Sequence, residues 1–274
     1  METGEDRLAL IGGGAMGGAL LAGILEAGAY SRSRIVVAEP NEERRSRLGE
    51  DYSVKTVPDV ASAIAGVATV LVAVKQGALE AVCAGISAGI SSDLLLVSIV
   101  AGVPAAFFEH RLPENVTVVR AMPNTPALVG KGTTGLAPGT RATAQDMQKA
   151  ESLLLSVGVV VRCAEEQLDA VTALSGSGPA YWFLVAESMI EGGVRLGLTR
   201  EQSTILVEST MTGAAALLSR TDQSPSELRS QVTSPAGTTA AALHAMEKHR
   251  VRYAFLDALE QAAKRSAELG RQFV

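Results

Sequence analysis

A glycine pattern near the N-terminus is the first feature whose spacing suggests chemistry. Residues 12 to 17 read GGGAMG, a G-x-G-x-x-G pattern between an apolar run and a helix-forming stretch. In such a pattern the first glycine makes a tight turn, the second admits a pyrophosphate, and the third lets helix and strand pack closely. The amides at the helix start would face the phosphates. The pattern predicts a dinucleotide site that includes Gly12, Gly14, Ala15, Met16 and Gly17.

Charged residues after the second apolar run bear on which dinucleotide binds. Glu39 ends that run, where a carboxylate could accept hydrogen bonds from the adenosine ribose hydroxyls and favour NADH. Arg44, Arg45 and Arg47 follow within two turns and could hold the 2′-phosphate of NADPH, or could form a solvated helix face. The sequence therefore predicts NADPH or NADH as cofactor and leaves the preference open.

A second loop of small residues lies in the last third of the chain. Residues 233 to 239 read TSPAGTT and precede an alanine-rich helix. Backbone amides at such a helix start can bind a carboxylate or a phosphate. The hydroxyls of Thr238 and Thr239 could touch a ligand or cap the helix, and the spacing alone leaves both roles open.

The acid–base inventory narrows the reaction class. The chain has three histidines, His110, His244 and His249, and none lies in a metal-ligand pattern, so we predict no metal site. No lysine lies between Lys149 and Lys248, which disfavours hydroxyacid dehydrogenases that need a lysine on the helix leading the second domain. Hydride transfer without a strong acid or base favours an activated substrate, such as a protonated imine.

Two successive sequence patterns along the chain predict the secondary-structure elements that position these residues. Short, continuous apolar runs alternate with helical stretches up to about residue 165, as in a mostly parallel sheet covered on both faces. Only helical patterns follow, with capping-box spacing at Thr199–Gln202 and Ser224–Glu227. We predict an α/β fold, with a Rossmann-type doubly wound sheet over residues 1–164 and an all-helical C-terminal domain over 165–274. The predicted strands are 7–11, 34–38, 70–74, 94–100, 116–120, 132–137 and 157–162.

Composition limits the partners and the compartment. The net charge is −5 and the basic residues are scattered, so we expect no nucleic-acid partner. No apolar run reaches the ~18 residues of a membrane span, and the N-terminus lacks the basic flank of a signal peptide. The two cysteines, Cys83 and Cys163, are expected to be free thiols in a reducing compartment. We therefore expect a cytoplasmic protein.

Several motifs, in order along nearly the whole chain, resemble the pyrroline-5-carboxylate reductases. Beside the N-terminal glycines they are AVK at 73–75, RAMPNTP at 120–126, ALSGSGPAY at 173–181 and LRSQVTSPAGTTAAALHAME at 228–247. The resemblance implies NAD(P)H-dependent reduction of 1-pyrroline-5-carboxylate to L-proline, the final step of proline biosynthesis. The hydride would pass to a protonated cyclic imine.

The resemblance also implies roles for individual residues. The Gly237 and Thr238 amides would hold the substrate carboxylate, the Thr239 hydroxyl would face the ring nitrogen, and Glu165 would lie near the ring. The nicotinamide side would be lined by Ala73, Val74, Lys75, Val100 and Ala101. Ser175 to Gly178 would shape the same cleft or only cap a helix. Finally, the resemblance implies a homodimer with intertwined helical domains, in which each active site uses both chains, or a higher oligomer such as a decamer.

Three positions depart from the family pattern. Gln76 stands where the family usually has proline, which could loosen that loop. Ala236 replaces a usual glycine, which is tolerable only with a negative φ. Val60 stands where an asparagine often contacts the adenosine side. Two rival functions remain open: a related imine or hydroxyacid reductase with another substrate, and a non-catalytic dinucleotide-binding regulator.

Overall fold

The computed structural model describes residues 6–273, and an eight-stranded sheet organises its N-terminal part. The strand order is β3-β2-β1-β4-β5-β6-β7-β8. The first six strands are parallel, β7 runs antiparallel to β6, and β8 is parallel to β7. The strands are β1 Leu8–Ile11, β2 Ile35–Ala38, β3 Lys55–Val57, β4 Thr69–Val72, β5 Leu94–Ser98, β6 Val116–Met122, β7 Gly132–Pro138 and β8 Gly158–Arg162.

Twelve α-helices are present among residues 6–273. Those before the last strand are α1 Ala15–Glu26, α2 Glu42–Tyr52, α3 Val60–Ile64, α4 Leu79–Gly89, α5 Ala105–Glu109 and α6 Ala144–Leu154. The others are α7 Leu168–Val171, α8 Gly178–Arg195, α9 Arg200–Arg220, α10 Pro225–Gln231, α11 Thr238–Lys248 and α12 Val251–Gly270. No helix in this described range is long and apolar enough to cross a membrane.

The central strands are buried on both faces, as their continuous apolar runs predict. Every residue of β1, β2, β4 and β5 is buried. Alternate residues of β1 point into two separate cores, with Ala9 and Ile11 on one side and Leu8 and Leu10 on the other. This arrangement confirms the doubly wound sheet, because only helices on both faces can bury both sets of side chains.

The sequence missed β3 and did not give the direction of β7. β3 has three residues, two of them polar, so it carries no apolar run. It pairs with β2 through Lys55 to Val57 and forms one edge of the sheet. β7 follows β6 after a short 3₁₀ helix, Thr125–Val129, and returns antiparallel, which is the geometry that a short connection allows.

Both capping boxes predicted in the C-terminal part are confirmed. The Thr199 hydroxyl accepts from Gln202 N at 3.1 Å, and Thr199 N donates to Gln202 Oε1 at 2.9 Å. Ser224 and Glu227 make the same reciprocal pair at the start of α10. Each box satisfies two amides that the helix itself leaves unpaired, which fixes where α9 and α10 begin.

Contacts between Cα atoms divide the chain into two units. One runs to Ser177 and includes the chain from Ala262 onward, and the other is Gly178–Gln261. The segment after residue 165 groups with the sheet because Leu168 and Val171 pack over Gly135 of β7, where a β-carbon would lie 2.6 Å from Val171 Cγ1. Ser266 Oγ also donates to Asp169 Oδ1 at 2.6 Å. The domain boundary between residues 164 and 165 stays a prediction.

The unit Gly178–Gln261 exposes many large apolar side chains. Only a few of its residues, among them Ser203 and Val207, are buried. Large apolar side chains exposed in this number indicate an interaction surface. The exposed residues are Trp182, Phe183, Leu184, Met189, Val194, Leu196, Leu198, Ile205, Leu206, Leu217, Leu218, Val232, Met246, Tyr253, Phe255 and Leu256.

Candidate active site

The glycine loop after β1 has the tight geometry that its spacing predicts. Gly12 has φ +100°, and a β-carbon there would lie 2.6 Å from Ala73 O. A β-carbon on Gly17 would lie 2.1 Å from Gly12 O, so α1 can approach β1 only without a side chain. A β-carbon on Gly14 would meet no atom within 4 Å. Gly14 therefore leaves open the space that a pyrophosphate needs.

The start of α1 offers unpaired amides to that space. Gly14 is the N-cap, and no side chain caps the helix. The first amide bonded within the helix is that of Gly18, which donates to Gly14 O at 2.8 Å. The amides of Ala15, Met16 and Gly17 are thus the free donors at a positive helix end. This loop fits the phosphates of a dinucleotide.

Glu39 lies at the end of β2 and ties the glycine loop to the next turn. Its side chain is 4% exposed. Glu39 Oε2 accepts from Gly13 N at 2.9 Å, and Glu39 Oε1 accepts from Asn41 N at 3.0 Å. Both carboxylate oxygens therefore have backbone partners, so the direct bond from Glu39 to ribose hydroxyls stays a prediction.

The three arginines of α2 have different surroundings. Arg44 Nη1 lies 3.4 Å from Glu39 Oε1, and its side chain is half exposed. Arg45 Nη1 donates to the carbonyls of Glu39 and Pro40 at 3.0 and 3.1 Å. Arg47 pairs with Glu43 on an exposed helix face. Arg44 is therefore the arginine that combines solvent access with a place beside the end of β2.

The ends of β4 and β5 complete the cofactor side. The strand order reverses between β1 and β4, and ligands of such sheets bind beyond the carboxyl ends of the strands at this point. Ala73 N donates to Ile11 O at 2.8 Å, and Ile99 N donates to Val72 O at 3.1 Å. The structure thus brings the predicted cofactor residues together at the carboxyl ends of β1, β2, β4 and β5. These residues are Gly12, Gly14, Ala15, Met16, Gly17, Glu39, Ala73, Val74, Lys75, Val100 and Ala101.

Glu165 is bonded within the sheet unit. Its Oε1 accepts from Ala105 N at 2.7 Å and from Arg120 Nη1 at 2.8 Å. The carboxylate therefore satisfies an amide at the start of α5 and neutralises a mostly buried arginine. Sequence reasoning did not foresee this pairing, although Arg120 belongs to the RAMPNTP motif. The predicted approach of Glu165 to a substrate ring stays a prediction.

The segment Ser175 to Gly178 leads from a π-helical turn into α8. The turn spans Thr172–Gly176, and Ser175 Oγ donates back to Val171 O at 3.2 Å. The buried Asn124 joins this turn to the sheet, since its Nδ2 donates to Ser175 O at 3.0 Å and its Oδ1 accepts from Thr133 N at 2.8 Å. Asn124 was missed as a connecting residue. π-Helical turns are frequent at functional sites.

The second loop of small residues forms a tight turn before α11. Gly237 N donates to Ser234 O at 3.1 Å, which closes a four-residue turn with Pro235 second and Ala236 third. A β-carbon on Gly237 would lie 2.2 Å from Ser234 Oγ and 3.2 Å from Ser234 O, so a side chain there would require the Ser234 hydroxyl to move.

The N-terminus of α11 is open to a ligand. Gly237 is the N-cap, and no side chain caps the helix, so the capping role considered for Thr238 and Thr239 is not observed. The first amide bonded within the helix belongs to Ala241, which donates to Gly237 O at 3.1 Å. The amides of Thr238, Thr239 and Ala240 are left as donors for an anion such as a carboxylate.

Known protein families match both parts of the chain that contain these two helix starts. The family described as "Pyrroline-5-carboxylate reductase dimerisation" matches residues 165–269, and "NADP oxidoreductase coenzyme F420-dependent" matches residues 7–102. A "Pyrroline-5-carboxylate reductase" of Mycobacterium tuberculosis is 43% identical over 98% of this chain and 98% of its own. The chain belongs to the pyrroline-5-carboxylate reductase family.

Solved structures agree with this assignment. A structure of a pyrroline-5-carboxylate reductase from Coxiella burnetii is 36% identical, with a TM-score of 0.91 over 97% of this chain and 98% of that one. A Plasmodium falciparum pyrroline carboxylate reductase with NADP bound is 30% identical, with a TM-score of 0.86 over 98% and 99% of the two chains. The predicted fold, a Rossmann-type sheet followed by the reductase family's helical dimerisation region, is confirmed.

One of the three departures from the reductase pattern behaves against expectation. Alanine at position 236 is tolerable without strain only with a negative φ, and this condition is not met, since φ is +55°. The cause is the turn itself, because a type II turn with proline second needs a positive φ at the third residue. An L-amino acid is strained in this conformation, whereas glycine is not.

We expect Ala236→Gly to stabilise the protein by about 0.5–1 kcal/mol, because glycine adopts this conformation without the β-carbon clash. Ala241→Gly in the second turn of α11 is the matched control and is expected to destabilise by a similar amount, since its helical φ gives glycine no advantage. Thermal unfolding of both variants at one protein concentration measures the difference. A loss of stability in both variants would contradict the strained turn.

The other two departures have clear surroundings. Val60 opens α3 and packs against α4, where a β-carbon on Gly85 would lie 2.6 Å from Val60 Cβ. Val60 therefore serves helix packing, and nothing at this position supplies an amide to an adenosine. Gln76 Nε2 donates to Ala101 O at 2.8 Å and so joins the ends of β4 and β5.

The other titratable groups offer no competing chemistry within the described part of the chain. Burial raises the pKa of the Cys83 thiol to about 11, and burial likewise raises the pKa of Cys163. Both thiols therefore stay protonated near neutral pH and are poor nucleophiles. No group of three histidine, cysteine or acidic side chains among residues 6–273 could hold a metal ion.

Proposed function

We propose that this chain reduces 1-pyrroline-5-carboxylate to L-proline with NADPH or NADH. The observation that carries the proposal is the pair of open helix starts in a member of this reductase family. The amides of Ala15, Met16 and Gly17 suit a pyrophosphate, and those beginning at Thr238 suit one small carboxylate. A cyclic imine acid supplies that carboxylate together with an electrophilic carbon–nitrogen double bond.

The main contribution of the protein's own groups is to bind and orient the substrate. The amide of Thr238 holds the substrate carboxylate, because no other group caps α11. The Gly237 amide closes the turn to Ser234 O, so in this proposal Gly237 shapes the helix start instead of donating to the carboxylate as the resemblance implied. The Thr239 hydroxyl, on the first turn of that helix, hydrogen-bonds the ring nitrogen. The reduced dinucleotide, when bound, supplies the hydride. A protonated imine needs no further activation, so positioning accounts for most of the catalysis.

Glu165 supports the substrate region indirectly in this proposal. Its carboxylate is held by Ala105 N and Arg120, which fixes the segment that leads into the π-helical turn and Ser175. This segment then shapes the cleft for the imine ring.

The surroundings of Glu39 favour NADPH over NADH. Glu39 is nearly inaccessible and both of its oxygens already accept hydrogen bonds, so it acts on the cofactor site through the Gly13 amide. Arg44 offers a half-exposed guanidinium beside it, which can pair with a 2′-phosphate. The NADP bound to the Plasmodium falciparum relative supports the same preference.

The assembly in this proposal is a homodimer with intertwined helical domains, in which each active site uses both chains. The exposed aromatic and aliphatic side chains of α8 and α9 supply the apolar surface that such an interface buries. A higher oligomer such as a decamer is the extension of the same proposal. The free cysteines are compatible with the reducing cytoplasm, where we place the enzyme.

Steady-state reduction of 1-pyrroline-5-carboxylate with NADPH and NADH in parallel tests the proposal. We expect proline to form, with a larger kcat/KM for NADPH. A strong preference for NADH would instead assign Glu39 to the ribose hydroxyls. Turnover only with another imine or with a hydroxyacid would establish the rival reductase. Binding of the dinucleotide without any turnover would establish the regulator.

A further inference from the structure

Gln76 makes a contact that links the loops after β4 and β5, two parts of the proposed cofactor site. It opens the 3₁₀ helix Gln76–Ala78 that follows the loop after β4. Its Nε2 donates to Ala101 O, which lies in the turn after β5, at 2.8 Å. The side chain therefore bridges two loops that follow neighbouring strands of the sheet, beyond the last paired residues, Val72 and Ser98.

The backbone does not explain why a glutamine stands there. Lys75 has φ −75° and ψ 152°, an extended conformation that proline tolerates in the following residue. The first position of a helical turn also accepts proline, because its amide has no partner within the helix. The amide group at the end of the Gln76 side chain is what distinguishes this residue, and its bond to Ala101 O is what that amide does.

The turn that Gln76 holds is fixed from its other side as well. Gly102 has φ +75°, and a β-carbon there would lie 3.6 Å from both Gln76 Nε2 and Leu269 Cβ. A β-carbon on Gly270 would lie 2.9 Å from Gly102 O, so the end of α12 packs tightly on this turn. Loss of the glutamine bond would free the turn only on the side that faces β4.

The side of the turn that faces β4 lies where the nicotinamide half of the dinucleotide, not the adenosine half, would bind. The glycine loop and Glu39 lie at the ends of β1 and β2, and the strand order reverses between β1 and β4. A dinucleotide spans such a reversal, one nucleotide on each side. The loops joined by Gln76, at the ends of β4 and β5, therefore face the nicotinamide half.

We propose that Gln76 is a positioning residue for the nicotinamide half of the cofactor, acting through its hydrogen bond to Ala101 O. The proposal rests on the cofactor class of the proposed function but not on its imine substrate. It predicts a selective effect: loss of the bond weakens binding of the nicotinamide half and leaves the adenosine half unaffected.

Binding measurements on the full-length protein test this selectivity. The ligands are NADP⁺ and 2′-phospho-ADP-ribose, which lacks the nicotinamide, or NAD⁺ and ADP-ribose if that pair binds more tightly. In Gln76→Ala we expect the Kd of the complete dinucleotide to rise about three- to tenfold, as for one lost hydrogen bond. The Kd of the fragment is expected to stay unchanged.

Gln76→Glu provides a second variant of nearly equal size, in which a carboxylate oxygen replaces the donor and faces the Ala101 carbonyl. We expect at least the same selective loss. Gln148→Ala, at an exposed position of α6, is the matched control and should change neither Kd. Equal weakening of both ligands, or no change in either, would overturn the proposal. Since no imine is present, these results are independent of whether the chain reduces pyrroline-5-carboxylate.

Discussion

Thr239→Ala is expected to lower kcat about 100-fold, the effect of removing one well-placed hydrogen-bonding group from a reacting atom, here the hydroxyl that accepts from the protonated ring nitrogen. The hydroxyl caps nothing in α11, so its removal costs the helix little. Dinucleotide affinity should be nearly unchanged, because the proposed cofactor contacts lie in the glycine loop and at the ends of β4 and β5. Steady-state kinetics with saturating dinucleotide, together with direct measurement of its Kd, would check both halves of the result.

Thr239→Ser is the control for this prediction, since it keeps the hydroxyl and removes only a methyl group. It should retain most of the turnover. Thr238→Ala, at the neighbouring and more exposed position, keeps the backbone amide proposed to bind the carboxylate and should change kcat far less. Unchanged kinetics in Thr239→Ala would remove Thr239 from the mechanism.

The other large effect is expected at the contact between α1 and β1. In Gly17→Ala the new β-carbon would lie 2.1 Å from Gly12 O, a backbone atom that cannot move without opening the glycine loop. Overpacking of this kind costs about 1–3 kcal/mol of stability. Displacement of the free amides should also raise the Kd of the dinucleotide by at least about tenfold, which corresponds to roughly 1.4 kcal/mol.

Gly18→Ala is a matched control one residue further along the same helix. A β-carbon on Gly18 would meet no atom within 4 Å. Alanine should therefore stabilise α1 by about 0.5–1 kcal/mol through its better helix propensity, with no loss of affinity. Urea unfolding and calorimetric titration with the dinucleotide separate the two variants. Similar behaviour of both would show that the contact between Gly17 and Gly12 is not limiting.

The sequence predicted best the features that depend on neighbours along the chain. The glycine spacing located Gly12 and Gly17, and the Thr199 and Ser224 boxes located two helix starts within one residue. Continuous apolar runs located the strands that are covered on both faces. Each of these signals is local, because a turn, a cap or a buried strand imposes its own residue types at fixed spacing.

Features that depend on distant partners could not be predicted in this way. Nothing near Glu39 indicates that the Gly13 amide would occupy its carboxylate, and nothing near Gln76 indicates Ala101. Such pairs exist only after the strands are ordered in the sheet. The positive φ of Ala236 belongs with these features, since Pro235 in the second position suits both a type I turn and a type II turn, and only the second has a positive φ at the third residue.

The apolar surface of Gly178–Gln261 has a consequence for how the protein responds to dilution. A segment with so few buried residues of its own gains most of its hydrophobic stabilisation from another copy, so folding and association are linked through mass action. The melting temperature should then rise with protein concentration. In very dilute enzyme the helices of Gly178–Gln261 should unfold and activity should fall at the same time. Both should recover when the protein is concentrated again.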